Sequence, residues 1–113
     1  MKHLKYISLI VACLFACSCS KSEDTDPISF SSDIAPFMDN SCTTCHYGGR
    51  QSPDLRSQYS FNALINGAYV IPGNAVDSPL IHQLESGHPS AGHVSESQIE
   101  EVKLWIDQGA QNN

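Results

Sequence analysis

Basic residues are scarce in this chain. Six Lys and Arg stand against twelve Asp and Glu, a formal net charge of −6. A nucleic-acid-binding domain needs a concentrated basic surface, so this balance argues against DNA or RNA as a partner. Methionine is rarer still, with only Met1 and Met38. Cysteine stops at Cys45, so no second Cys-x-x-Cys pair follows to complete a four-thiolate zinc site. The apolar run from Tyr6 to Ala16 falls short of the ~20 residues that a membrane-spanning helix requires. No segment alternates apolar and polar residues as a half-buried strand does, and there is no internal repeat. A nucleophilic serine motif, a paired-carboxylate motif and a phosphate-binding loop are also missing. Nothing in the sequence therefore points to an enzyme.

What the chain does hold is Cys42-Thr43-Thr44-Cys45-His46. Cys-x-x-Cys-His is the attachment motif of a c-type haem. Two thiols add across the haem vinyl groups as thioethers, and the imidazole reaches the iron as the proximal ligand. On a helical turn, positions three apart share a face, so Cys42 and Cys45 meet one edge of a flat macrocycle together. The same residues admit three other readings. A structural zinc site would need further ligands from His82, His88 or His93. A thioredoxin-like dithiol would sit between a strand and a helix, and nothing strand-like precedes Cys42. The third is a plain disulfide between Cys42 and Cys45.

Residues 1–16 read as a targeting segment: Lys2 and Lys5 are basic, and a short apolar stretch follows. Leu14-Phe15-Ala16-Cys17 resembles a bacterial lipobox, in which signal peptidase cuts before a cysteine that is then acylated. Cys19, in Ser18-Cys19-Ser20-Lys21, resembles another form of that site. The resemblance implies a lipid anchor on Cys17, or alternatively Cys19. It places the protein in a bacterial cell envelope, tethered to a membrane and facing the periplasm or the cell surface. Two or three acyl chains hold firmly where one would not. In families that this chain resembles, c-type haem is joined outside the inner membrane, so export and the motif agree.

Residues 17–29 are small, polar and acidic, the composition of a flexible tether. Within them Lys21-Ser22-Glu23-Asp24 resembles sorting signals that send some bacterial lipoproteins to the cell surface. Residues 30–113 form one small domain. Without Lys2 and Lys5 of the targeting segment, tether and domain together carry four bases against twelve acids, a formal charge of −8. That charge suits docking onto a basic patch of a redox partner and keeps the domain soluble. A domain of this length buries a marginal core, which a cofactor would complete.

The spacing predicts a few short helices joined by long loops. The first runs from about Asp33 to Asn40, with Ser32 as a candidate cap and Ile34, Phe37 and Met38 on its apolar side. A second covers 57–66, with Gly67 as its stop. Residues Val70 to Asn74 form a turn. A third helix covers Leu80 to Glu85, with Ser78 or Asp77 as cap and Pro79 at its first position. Ser95 and Gln98 form a capping box that opens the last helix. Ile99, Val102, Trp105 and Ile106 mark its buried side, and Gly109 ends it.

Three stretches resemble small single-haem class I cytochrome c domains of bacterial lipoproteins. They are Ile34-Ala35-Pro36-Phe37 leading into the haem motif and Tyr47-Gly48-Gly49, Val70 to Asn74 with Ser78-Pro79-Leu80, and Val94-Ser95 through Trp105-Ile106 to Gly109-Ala110. The resemblance implies an all-α, cytochrome c-like fold around one covalently bound haem c. In that fold the first and last helices cross, and Phe37 and Trp105 pack in the core. Cys42, Cys45 and His46 would bind the cofactor.

In the family the sixth iron ligand is usually a methionine followed by proline, just ahead of the last helix. Here that place reads Gly87-His88-Pro89, so the resemblance implies His46 and His88 as the iron ligands, with His93 as the alternative. Methionine raises haem potential relative to histidine, so the exchange implies a lower potential. Arg50, Arg56, Tyr59 and Trp105 are candidates for hydrogen bonds to the haem propionates. The implied function is single-electron transfer to redox partner proteins. The alternatives are a sensor of small ligands with an open sixth iron site and a structural zinc domain.

Overall fold

The computed structural model of the chain describes residues 25–88 and 94–113. Residues 1–16, Cys17, Cys19 and His93 lie outside the described residues. Among the described residues all regular structure is helical and there is no strand. No helix among them is long and apolar enough to cross a membrane. A single π-helical turn, Phe30–Ile34, runs straight into α1, Ala35–Ser41. Three more helices follow: α2, Ser57–Asn66; α3, Pro79–Glu85; and α4, Glu96–Asp107.

The chain enters its first helix earlier than Ser32. The Ser29 hydroxyl accepts the Ser32 N–H at 3.2 Å, and Asp33 Oδ2 accepts the Ser29 N–H at 2.8 Å. This reciprocal pair satisfies orphan donors three residues upstream of the expected cap. Ser78 does cap α3 by position, but its buried hydroxyl serves the preceding turn instead. It accepts the Ile71 N–H at 2.9 Å and donates to the Asn74 carbonyl at 2.8 Å. The Ser95–Gln98 capping box is present in both directions.

Gly67 stops α2 for a reason other than left-handed backbone, since its φ is −81°. A Cβ there would lie 2.7 Å from the Ala63 carbonyl and 2.5 Å from the Tyr69 ring. The left-handed residue is Ala68, at φ 56°. Its N–H bonds to Ile65 and that of Tyr69 to Leu64, the paired bonds of a Schellman end.

Trp105 is 1% exposed and anchors the core. Phe30 stacks on it at 5.2 Å between centroids, and Phe61 meets Phe30 edge-on at the same separation. This cluster joins the π-helical turn, α2 and α4 through aromatic contacts worth about 0.5–1.5 kcal/mol each beyond burial. The π-helical turn packs on α4, α1 packs on α2, and α3 packs on α4. Residues 26–31 are tied to the C-terminal end: Gln108 Oε1 accepts the Ile28 N–H at 2.8 Å, and the Asn113 carbonyl accepts the Ser31 N–H at 2.9 Å.

α2 has no cap of its own, because its N-cap residue is Arg56 and makes no side-chain capping bond. Asp39, on α1, supplies it across the helix interface. Its Oδ1 accepts the Ser57 N–H at 2.9 Å and its Oδ2 accepts the Ser57 hydroxyl. Asp39→Ala is expected to lower the unfolding free energy by about 1–2 kcal/mol, the range of a lost cap. Thermal denaturation of the variant beside wild type checks this, and an unchanged midpoint would show that α2 forms without the carboxylate.

Candidate functional site

α1 delivers the cysteine motif. Cys42 is its C-cap, with its N–H on the Met38 carbonyl at 2.9 Å. The chain then makes one more turn: the Cys45 and His46 N–H groups both point to the Cys42 carbonyl, at 3.2 and 2.9 Å. The Thr43 hydroxyl braces it by donating to the Asp39 carbonyl at 2.6 Å. Both cysteines and His46 open on one cavity of about 640 Å³. The two thiols are not joined as a disulfide.

His46 is held by its far side. Its Nδ1 lies 3.1 Å from the Pro53 carbonyl oxygen. A carbonyl only accepts, so the hydrogen sits on Nδ1 and the Nε2 lone pair is left free. This is the arrangement of a ligating imidazole, with tautomer and ring orientation set by an outer acceptor.

α3 delivers the facing imidazole. The helix ends at Ser86, and Gly87 turns left-handed at φ 88°. The Gly87 N–H bonds to Leu84 at 3.2 Å and the His88 N–H to Gln83 at 3.0 Å. These are the two bonds of a Schellman end, so His88 is fixed by backbone alone. Lys103 ties the end of α3 to α4 through Glu85 at 2.6 Å and also pairs with Glu100 at 2.7 Å. Those hydrogen bonds, led by Glu100, raise the Lys103 pKa and keep it charged.

The His46 and His88 ring centroids are 5.9 Å apart, with planes at 79°. Two metal–nitrogen bonds of about 2.0 Å, plus half of each ring, place the centroids of paired axial imidazoles about 6 Å apart. The cavity between them is mainly apolar, walled by Pro53, Leu55, Leu64, Tyr69, Leu80 and Leu84. Its volume falls in the range of about 300–1,000 Å³ typical of cofactor sites. No Lys, Arg, Asp or Glu lines it among the described residues. The donor set, the spacing of the rings and the apolar walls all fit a haem.

Burial pushes the Cys42 thiol up to about 11, so it stays protonated at neutral pH. Its sulfur lies 3.9 Å from Met38 Sδ, inside the core. A thioredoxin-like dithiol needs the opposite shift. Among the described residues no three His, Cys, Asp or Glu side chains gather closely enough to hold one metal ion. His82 points outward on α3, away from the cavity.

The four propionate candidates do not line the cavity. Trp105 Nε1 donates instead to the Gln111 carbonyl at 2.9 Å. Arg56 is engaged by Asp54 through Nε at 3.0 Å and Nη2 at 2.6 Å, and lies 4.6 Å from the Tyr59 ring. Arg50 lies over Tyr47 at 5.7 Å. The polar groups on the cavity rim are neutral: Asn40, Ser41, Thr44, Gln51, Ser52 and Gln83. Sequence reasoning missed the Pro53 carbonyl, which is main chain and leaves no residue-type signal. The chain matches no protein-family model, no curated protein and no solved structure.

Gly87→Ala forces a Cβ into left-handed backbone at a cost of about 1–2 kcal/mol. The variant is expected to melt earlier and to lose the fixed placement of His88. A melting midpoint equal to wild type would contradict the role given to this helix end.

Proposed function

We propose that this protein is a monohaem c-type cytochrome of cytochrome c-like fold that carries single electrons while tethered to a bacterial membrane through an acylated Cys17, or Cys19. The observation that carries this reading is that His46, His88 and both motif cysteines line one mainly apolar cavity, with the two imidazole centroids 5.9 Å apart. Bound haem c supplies a one-electron Fe(III)/Fe(II) couple.

The chain's own residues do the rest. Cys42 and Cys45 would hold the haem covalently, and His46 and His88 would supply nitrogen ligands to its iron. The Pro53 carbonyl orients His46 and makes it a stronger donor. Leu55, Leu64, Leu80 and Leu84 line the cavity and would pack against the macrocycle. Two nitrogen ligands would set the potential low relative to a histidine–methionine site. A redox partner protein exchanges the electron, and a basic surface on it suits this acidic domain.

His88→Ala in the matured protein tests the ligand assignment. Wild type is expected to be low-spin. Near-perpendicular imidazole planes leave two iron d-orbitals almost equal in energy, so its ferric EPR signal should be strongly anisotropic, with one dominant low-field feature. The variant is expected to turn high-spin and to bind carbon monoxide. A variant that stays low-spin removes His88 from the site and turns attention to His93. A wild type that is already high-spin supports the sensor reading instead.

A further inference from the structure

Resting on the haem reading above, we infer that Asp54 is a positioning residue: its carboxylate cinches the loop after the motif and so holds the Pro53 carbonyl against His46. The loop runs from Tyr47 to Arg56 and contains no helix or strand. Its backbone would be free to drift but for a few ties. The carboxylate makes four of them. Oδ2 accepts the Gly48 N–H at 3.1 Å and Arg56 Nη2 at 2.6 Å. Oδ1 accepts Arg56 Nε at 3.0 Å and the Arg56 N–H at 3.3 Å. One side chain thus binds the start of the loop to its end.

Pro53 is the residue immediately before this clasp. On its other side the Leu55 N–H bonds to the His46 carbonyl at 3.0 Å, and Leu55 is buried in the cavity wall. The carbonyl that receives the imidazole hydrogen is therefore followed directly by two anchors, Asp54 and Leu55, and the carboxylate is the charged one. Gly48 fits the clasp because a Cβ there would approach Arg56 Nη2 to 3.0 Å. The hydrogen bond from Arg56 holds the Asp54 carboxyl below the usual carboxylate range, so the clasp is closed at neutral pH. A bidentate guanidinium–carboxylate pair brings directional constraint that a lysine would not.

The consequence lies in the iron ligand. A good acceptor on Nδ1–H raises the basicity of the imidazole and favours the ferric state. Loosening the clasp lengthens that hydrogen bond, weakens His46 as a donor and moves the reduction potential upward.

The test uses the matured full chain, with haem content read first from the alkaline pyridine spectrum. Asp54→Ala, Arg56→Gln and Asp107→Ala are compared with wild type. Asp107 accepts the Ala75 N–H at 2.8 Å in the turn before α3, so its variant controls for lost stability alone. Two quantities are read: the reduction potential, and the solvent exchange of the His46 Nδ1–H by NMR in the reduced state. Asp54→Ala is expected to raise the potential and speed exchange about tenfold, the scale of one net hydrogen bond. Arg56→Gln should shift both in the same direction by less, because Gly48 stays bound, and it carries the test if Asp54→Ala does not mature. Asp107→Ala should shift neither. Wild type with haem but variants with unchanged potential and exchange would overturn this inference alone. Wild type without haem would overturn the haem reading and this inference with it.

Discussion

Two imidazoles brought close together at the ends of two short helices are the constraint that the rest of this structure serves. The 5.9 Å between the His46 and His88 rings has to be held by backbone, since no side-chain bond joins them. Each imidazole hangs from the end of a short helix. α1 is capped at Cys42 and the turn that follows it carries His46; α3 is capped at Ser86 and its left-handed exit carries His88. Helix ends suit this task because their unpaired backbone groups are satisfied locally, which pins the next few residues.

The rest of the fold keeps those two ends in register. α2 is fixed to α1 by Asp39, whose own carbonyl also receives Thr43 of the motif. α3 is fixed to α4 by Glu85 and Lys103, and α4 is fixed to the N-terminal turn by Trp105 and Phe30. The exposed ion pair contributes little by itself, about 0–1 kcal/mol. Its worth is geometric, since it lies three residues from His88. The buried aromatic cluster carries the larger share of stability, about 1.5–3 kcal/mol for each fully buried apolar side chain.

Helix placement was legible where spacing and caps agreed. The second helix lies at 57–66 as its apolar spacing predicted, Pro79 opens the third, and Ser95 and Gln98 form their box. The start of the first helix was not legible, because a π-helical turn leaves no periodicity of its own and the capping hydroxyl is that of Ser29 rather than Ser32. Of the candidate site, Cys42, Cys45, His46 and His88 could be named from the sequence, and the structure brings them to one cavity. The site was opaque at Pro53 and Asp54, which act through main chain and through a clasp closed only in three dimensions. Arginine is the expected partner of a propionate, yet both domain arginines face aromatic rings, and the cavity rim presents neutral groups instead.

The cavity wall is uncharged among the described residues, so if a haem sat there its ligands and its burial, rather than a neighbouring charge, would set the potential. That argument stands only if the two thiols hold a macrocycle. The direct measurement is the intact mass of the chain exported in a host that matures c-type cytochromes, for wild type and for a variant with both Cys42 and Cys45 replaced by alanine. The account predicts that wild type gains the mass of one haem, retained under denaturation, and that the double variant gains none. A wild type with no added mass, beside a control cytochrome matured in the same cells, would contradict it.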